Sequence, residues 1–174
     1  MPTRIIPKHG GYKNLPSYQK TVVIYDLTRI FTSRFLSRGD RAIDQMVQAA
    51  RSGKQNIIEG SQASATSRKT ELKLTNVART SLEELLEDYR DYIRSHRAIQ
   101  WHMDSPEATY IRRLGRDRKR LPSGALELAR TRKSTVVANI AICLIHQANF
   151  LLDQQIRRME TDFVDNGGLT ERMY

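Results

Sequence analysis

Four long segments of this chain repeat apolar residues at intervals of three and four, the spacing that places them on one face of an α-helix. Examples are Val23 and Leu27 in the first segment and Leu82 and Leu85 in the third. Glycine and proline number only nine and five, whereas an all-β fold needs turn residues at short intervals. The pattern therefore predicts an all-α fold.

Local capping signals give the expected ends of these helices. The second helix is expected to stop at Gly60, and the fourth at about Met159. Short links between long helices are typical of an up-down-up-down four-helix bundle, here predicted over residues 15–160. The expected starts are the capping or first-turn residues Asn14 or Pro16, Asp40, Ser67 and Ser134.

The predicted third and fourth helices are separated by residues 96–133, a connection much longer than bundle loops usually are. It is expected to contain one short helix, with Ser105 as the N-cap and Pro106 in the first position. Residues 1–14 form a basic N-terminal segment, and residues 161–174 are predicted to be a C-terminal tail.

Two of the predicted helices have surfaces suited to close packing. Ala49, Ala50 and Gly53 give the second helix a slim side, and a glycine inside a helix costs about 1 kcal/mol relative to alanine. The fourth helix is apolar around much of its circumference, which indicates burial on more than one side. These two surfaces are the expected contacts between subunits.

Positive charge is concentrated in the long connection. The net charge is +10, and the range from Arg112 to Lys133 holds nine basic and two acidic side chains. Such a field attracts RNA, DNA or acidic membranes, although a solvated basic insert that only aids solubility has the same composition. The candidate nucleic-acid contacts in the insert are Arg112, Arg113, Arg116, Arg118, Lys119, Arg120, Arg130, Arg132 and Lys133.

Two aromatic residues, Trp101 and Tyr110, accompany these cations and offer stacking surfaces for single strands. For Trp101 the expected role is to anchor the connection to the helices, with base stacking as the alternative. No base-reading motif is present, so binding is expected to be driven by charge or shape.

The residue patterns of catalysis are missing from the sequence. It contains no phosphate-binding glycine loop, no nucleophile elbow and no Cys-x-x-Cys pair, and none of its four histidines follows a glutamate at the Glu-x-x-His spacing of di-metal bundles. We therefore expect neither an enzyme nor a cofactor or metal site.

An acidic cluster on the predicted third helix is the remaining candidate for a hydrolytic active site. A solvated charged face explains the cluster, and a metal-dependent hydrolase is the alternative. Its members are Glu83, Glu84, Glu87, Asp88 and Asp91.

Cellular location is expected to be cytoplasmic. The lone cysteine, Cys143, excludes an intramolecular disulfide, the first residues lack the apolar core of a secretory signal, and no window approaches the roughly 18 uninterrupted apolar residues of a membrane span.

One stretch resembles a bacterial family. Residues 45–60 read QMVQAARSGKQNIIEG. They are similar to the typical signature of that family, Gln-Leu-Arg-Arg-Ala-Ala-x-Ser-Ile-x-x-Asn-Ile-Ala-Glu-Gly. Two further runs that are similar to the family pattern follow, SRKTEL from Ser67 and SLEEL from Ser81. These segments resemble the four-helix-bundle family of large-subunit rRNA intervening-sequence proteins, which includes the accessory variability determinant of diversity-generating retroelements. The insert and the C-terminal suffix resemble a suffix-bearing sub-branch.

The resemblance implies a homopentameric barrel with a basic surface around a central channel. In this family the retroelement member binds a reverse transcriptase and nucleic acid. The paired arginines of the family motif are Val47 and Gln48 here, so a phosphate contact made by that pair is absent. Arg51 and Lys54, or the insert, are the candidate replacements.

The most specific part of the motif contains Asn56, Glu59 and Gly60 at the expected end of the second helix. A structural role is expected: Asn56 and Glu59 cap backbone groups or bond across to the start of the third helix.

Two functions follow from these observations. The first is a non-catalytic, oligomeric protein that binds RNA or DNA as a scaffold or accessory factor. The second is an adaptor that docks a partner enzyme, such as a retroelement reverse transcriptase, through the insert and tail.

Overall fold

The computed structural model describes residues 11–165 of the chain, and their regular structure is helical throughout. The all-α prediction is confirmed for this part of the chain. After a short 3-10 turn at Gly11–Asn14 the helices are α1 (Pro16–Phe35), α2 (Arg41–Ala63), α3 (Arg68–Ser95), α4 (Pro106–Arg116), α5 (Leu121–Thr131) and α6 (Ser134–Asp165).

Three of the expected N-caps are formed, whereas Asn14 does not cap α1, whose N-cap is Leu15 without a side-chain hydrogen bond. The Asp40 carboxylate accepts the backbone N–H of Ala42 at 2.9 Å, and the Ser67 hydroxyl accepts that of Thr70 at 3.1 Å. The Ser105 hydroxyl accepts the Ala108 N–H at 3.2 Å. These residues satisfy N–H groups that a helix start leaves without an intrahelical partner.

Two of the expected helix ends are wrong. The α2 helix continues past Gly60 to Ala63, because Gly60 serves a close approach: a Cβ there would lie 3.4 Å from the backbone oxygen of Glu71 on α3. The α6 helix runs to Asp165, so residues 161–165 of the predicted tail are helical. Residues 1–10 and 166–174, which hold the rest of the predicted N-terminal segment and tail, lie outside the described residues.

The four long helices pack in a closed order, with α1 and α3 each lying against both α2 and α6. At the centre of the core the rings of Phe31 on α1 and Tyr89 on α3 meet edge to face, with centroids 5.1 Å apart. The buried Tyr89 hydroxyl lies 2.7 Å from the Thr28 hydroxyl, so this polar group is satisfied inside the core.

The α6 helix is enclosed on several sides. It contacts α1, α3, α4 and α5, and its buried residues include Ile140, Leu144, Ile145 and Leu152. Among the described residues it is the one helix long and apolar enough to cross a membrane by length and composition alone. More than half of that apolar stretch is buried within the protein, as in the central helix of a core.

Gly53 has the packing role that its position inside a helix indicates. A Cβ atom at Gly53 would lie 2.7 Å from Cδ2 of Leu82 on α3. The slim side of α2 is therefore covered by α3 of the same chain. It is not a surface between subunits, which corrects the expectation from the sequence.

We predict that Gly53→Val lowers the free energy of unfolding by about 1–3 kcal/mol, because the added methyl groups overpack the Leu82 contact. Urea unfolding followed by circular dichroism measures this change. Gln48→Val, at an exposed position of the same helix, introduces the same β-branched residue as a control. Helix propensity alone favours valine over glycine inside a helix, so an unchanged or higher free energy of unfolding in Gly53→Val would contradict the packing role.

Candidate nucleic-acid interface

The insert lies on α1 and α6 as a pair of helices. The α4 helix packs mainly against α6, and its buried residues are Ala108, Ile111 and Gly115. Their spacing of three and four places them on one face. The predicted α4 helix is thus confirmed, including its start at Pro106.

A second helix in the insert, α5, was missing from the sequence-based prediction. It packs mainly against α1 and buries Leu121, Ala125 and Ala129. The run from 122 to 124, Pro-Ser-Gly, resembles a turn, although proline is favoured in the first turn of a helix. The four-residue spacing of the buried residues was the signal that could have identified α5.

Two side chains hold the last turns of α4 in place. The Lys20 ammonium on α1 donates to the Gly115 carbonyl at 2.5 Å, and the Gln147 amide on α6 donates to the Arg112 carbonyl at 2.9 Å. Gly115 lies so close to Gln147 that a Cβ would be 1.8 Å from its Oε1. Only glycine fits this helix contact without rearrangement.

The end of α5 is held by Arg34 of α1. Its guanidinium donates to the carbonyl of Ala129 at 2.5 Å and to that of Arg132 at 2.8 Å. A cation at a helix C-terminus satisfies free carbonyls and interacts favourably with the helix dipole. Part of the positive charge of α1 therefore supports the insert and is not available to a ligand.

The loop before α4 is anchored by Asn139 of α6, which is 3% exposed. Its side-chain oxygen accepts a hydrogen bond from the backbone N–H of Trp101 at 2.8 Å. Its side-chain amide donates to the backbone carbonyls of Ile99 and Thr135 at 3.1 and 3.0 Å. The half-buried Trp101 also packs against the core. Trp101 thus anchors the insert, and the exposed Tyr110 is the aromatic residue left for stacking.

Arg112 is engaged within the protein. It is half-buried, and its guanidinium donates to the Met103 carbonyl and to the Thr109 hydroxyl, the latter at 3.3 Å. These bonds tie α4 to the loop that precedes it. Arg112, one of the candidate phosphate contacts, therefore has a structural role in holding this loop against α4.

Two further candidates have partners but remain exposed. Arg118 donates to the Gln19 side-chain oxygen at 2.9 Å and to the Asn14 carbonyl at 3.0 Å. The Arg120 guanidinium lies 3.8 Å from the Asp117 carboxylate. Both guanidinium groups keep N–H donors in excess of these contacts.

The other six insert cations are exposed. Within residues 11–165 their side chains form no ion pair and donate no hydrogen bond. These residues, whose charged groups have no ion-pair partner in that part of the chain, are here called the free insert cations: Arg113, Arg116, Lys119, Arg130, Arg132 and Lys133.

Arg51 and Lys54 lie apart from the insert. Both are on α2, whose neighbours among the long helices are α1 and α3. Arg51 is exposed, while the Lys54 ammonium lies 4.3 Å from the centroid of the Tyr25 ring. The structure does not bring these two candidates together with the cations of α4 and α5.

The motif residues differ from the expected capping arrangement. The Asn56 amide donates to the carbonyl and the hydroxyl of Ser52, at 2.9 and 3.0 Å, and the Ser52 hydroxyl lies 2.7 Å from that of Ser81 on α3. Asn56 therefore reaches α3 through Ser52, in the middle of both helices. Glu59 is exposed, and the small size of Gly60 permits the approach of α3 described above.

The acidic cluster of α3 is largely paired with arginines. Glu87 lies 2.7 Å from Arg90, and Asp91 lies 2.5 Å from Arg94. Burial, and then the neighbouring carboxylates, raise the pKa of Asp88. In the described part of the chain no three His, Cys, Asp or Glu side chains converge as metal ligands.

Cys143 and Asn149 are two further polar residues of α6 that lie next to the core. Burial raises the pKa of the Cys143 thiol to about 11, although the Arg112 guanidinium acts in the opposite direction. The thiol form is therefore favoured at neutral pH, and a thiolate nucleophile is disfavoured. The buried Asn149 side-chain oxygen accepts no hydrogen bond from the described residues.

Compared with protein-family models, curated proteins and solved structures, the chain matches none of them.

We predict that Asn139→Leu lowers the free energy of unfolding by about 1–3 kcal/mol, because Trp101 and Ile99 lose their buried partner. Hydrogen exchange of the Trp101 amide should accelerate more than exchange in α2. The control is Asn76→Leu, an exposed α3 residue whose amide bonds only within its own helix. An unchanged Trp101 exchange rate would contradict the anchoring role.

We also predict slow alkylation of Cys143. At pH 8 a pKa of about 11 lowers the thiolate fraction on the order of a hundredfold below that of free cysteine, and the greater nucleophilicity of the thiolate offsets part of this loss. Iodoacetamide labelling followed by mass spectrometry should be roughly tenfold slower than for free cysteine and should speed up as pH rises toward 10. Labelling at the rate of free cysteine would contradict the raised pKa.

Proposed function

We propose that this chain is a non-catalytic, oligomeric four-helix-bundle protein that binds RNA or DNA through the basic surface of α4 and α5. The observation that carries the proposal is the set of six free insert cations, three on α4 and α5 and three in the turns beside them, on an insert fastened to the rest of the protein.

The bundle arrangement is supported by the order of contacts along the long helices. Ser17 near the start of α1 donates to Gln155 in the second half of α6 at 3.1 Å, and Arg68 at the start of α3 lies 4.0 Å from Asp162 near the end of α6. Residues early in one helix thus meet residues late in its neighbour. This is the pattern of up-down-up-down packing.

Nucleic-acid binding is supported by the contrast between two surfaces. On α3 the arginines at 90 and 94 face carboxylates within 2.7 Å, whereas the free insert cations have no such partner in the described residues. Unpaired cations on a fixed surface release counterions when they neutralise phosphates, which provides the favourable free energy of binding. The exposed Tyr110 adds a stacking surface.

An oligomer, with the pentamer of the similar family as the leading expectation, is part of the same proposal. The slim side of α2 no longer supports it, because α3 covers that side. Phe150 on α6 is 61% exposed and Val77 on α3 is 39% exposed. These residues leave apolar surface for a second chain.

The alternative, an adaptor for a partner enzyme such as a reverse transcriptase, is favoured by a different observation. Ile99, Met103 and Tyr110, at one end of the insert, are 84%, 69% and 62% exposed. These three residues provide exposed apolar surface on the insert for a protein partner.

To test nucleic-acid binding, we predict that the triple variant Arg113→Gln, Arg130→Gln and Lys133→Gln binds single strands of every sequence more weakly. The slope of log K against log salt should fall by about 2, since each cation contributes about 0.7. Fluorescence anisotropy across a salt series measures both quantities.

The matched control removes three arginines that already have carboxylate partners, at Arg68, Arg90 and Arg94. Both triple variants lower the net charge by the same amount. Equal losses of affinity would therefore show that net charge alone sets the binding, and they would contradict a defined binding surface.

Light scattering during gel filtration measures the mass of the assembly: a mass of about five chains fits the pentamer, and a monomer would contradict the oligomer. A pentamer that binds neither strands nor duplexes would favour the adaptor.

A further inference from the structure

A cleft opens between the first half of α1 and the turn that joins α4 to α5. Its volume is about 610 Å³, which lies within the range of sites for small organic molecules. An inorganic ion alone would occupy a small part of such a space. The size of the cleft therefore favours an organic ligand.

Four cations and one carboxylate line this cleft: Lys20, Arg116, Arg118, Lys119 and Asp26. Lys20 is 8% exposed, and its bond to the Gly115 carbonyl uses one of three donors. Burial, and then the Arg116 guanidinium, lower the pKa of Lys20. An anion among these groups would lessen the repulsion between the cations and favour the charged form of Lys20.

Two helix starts adjoin the same cleft. Pro16 of α1 and Leu121 of α5 line it. The start of α1 has no side-chain cap, whereas the Asp117 carboxylate accepts the backbone N–H groups of Lys119 and Arg120 just before α5, at 3.2 and 3.1 Å. The dipole of α1 adds partial positive charge at its uncapped start and reinforces the anion preference that the four cations create, while the Asp117 carboxylate offsets the dipole at the start of α5.

The remaining wall is apolar, and it includes Val22, Val23, Pro122 and Leu151. The ring of Tyr18 lies beside it. Asp26 follows Lys20 by six residues, which corresponds to about 9 Å along the helix axis. Its carboxylate is therefore a hydrogen-bond acceptor placed away from the cations of the cleft. The cleft thus joins an anion site, an apolar surface and a hydrogen-bond acceptor.

We infer that this cleft binds a nucleoside monophosphate, with the phosphate among Lys20, Arg116 and Lys119 and the base against the wall formed by Val22 and Pro122. Asp26 accepts a hydrogen bond from a sugar hydroxyl. The ligand is a free nucleotide or the 5′-terminal nucleotide of a strand, since the two share this chemistry. The free-nucleotide form does not depend on the function proposed above.

Isothermal titration of the full chain with adenosine monophosphate tests the site, with adenosine and inorganic phosphate as the partial ligands. We expect the monophosphate to bind about tenfold or more tightly than either, because each partial ligand lacks one set of contacts. No binding of the monophosphate at about 1 mM, together with no preference for a 5′-phosphorylated strand, would overturn the inference. Phosphate binding as tight as the monophosphate would overturn the nucleotide assignment.

Two variants locate the ligand. Lys119→Gln, at an exposed position, should weaken monophosphate binding, while Lys73→Gln, at an exposed position of α3 outside the cleft, leaves it unchanged. Val22→Trp fills the apolar side and should abolish binding without changing any charge. Persistence of monophosphate binding in Val22→Trp would place the ligand elsewhere.

The same Val22→Trp variant separates this inference from the proposed function. It retains all six free insert cations, so binding of internal segments of long strands should persist whether or not the cleft is filled. A preference for 5′-phosphorylated over 5′-hydroxyl strands that Val22→Trp removes identifies the strand end as the ligand. Monophosphate binding without such a preference identifies the free nucleotide.

Discussion

The enclosure of α6 is the constraint on which the rest of the structure depends. Its apolar residues face in several directions, and fully burying one leucine or isoleucine side chain is worth about 1.5–3 kcal/mol. Because α1 and α3 cover only part of this helix, the insert must cover another part. The stripe Asn139, Cys143 and Gln147, at four-residue spacing, runs along the side that meets the insert.

That contact explains why a basic insert can be ordered. Asn139 and Gln147 supply polar partners for insert backbone, while Lys20 and Arg34 of α1 occupy the carbonyl ends of α4 and α5. Each bond satisfies a backbone group that would otherwise be costly to bury. The cations of the insert are then displayed from two positioned helices, which reduces the conformational entropy lost when a ligand binds.

Local signals account for what sequence reasoning predicted correctly. A capping residue acts on N–H groups two or three positions away, so the starts at Asp40, Ser67 and Ser105 could be read directly. The end of α2 could not, because Gly60 is required by its contact with a distant part of the chain. The α5 helix was also missed, since its turn-like first residues conceal a buried stripe.

The sequence by itself determined the all-α fold, the starts of the helices other than α5 and the concentration of positive charge between residues 112 and 133, because periodicity, capping and composition are properties of neighbouring residues. Only the tertiary structure decided that Arg112 serves the loop before α4, that Trp101 serves as an anchor and that Lys20 shares a cleft with Arg116. The roles of long side chains depend on which carbonyl, carboxylate or ring comes within about 3–4 Å of them. Those neighbours come from elements far apart in the chain, and no local pattern specifies them.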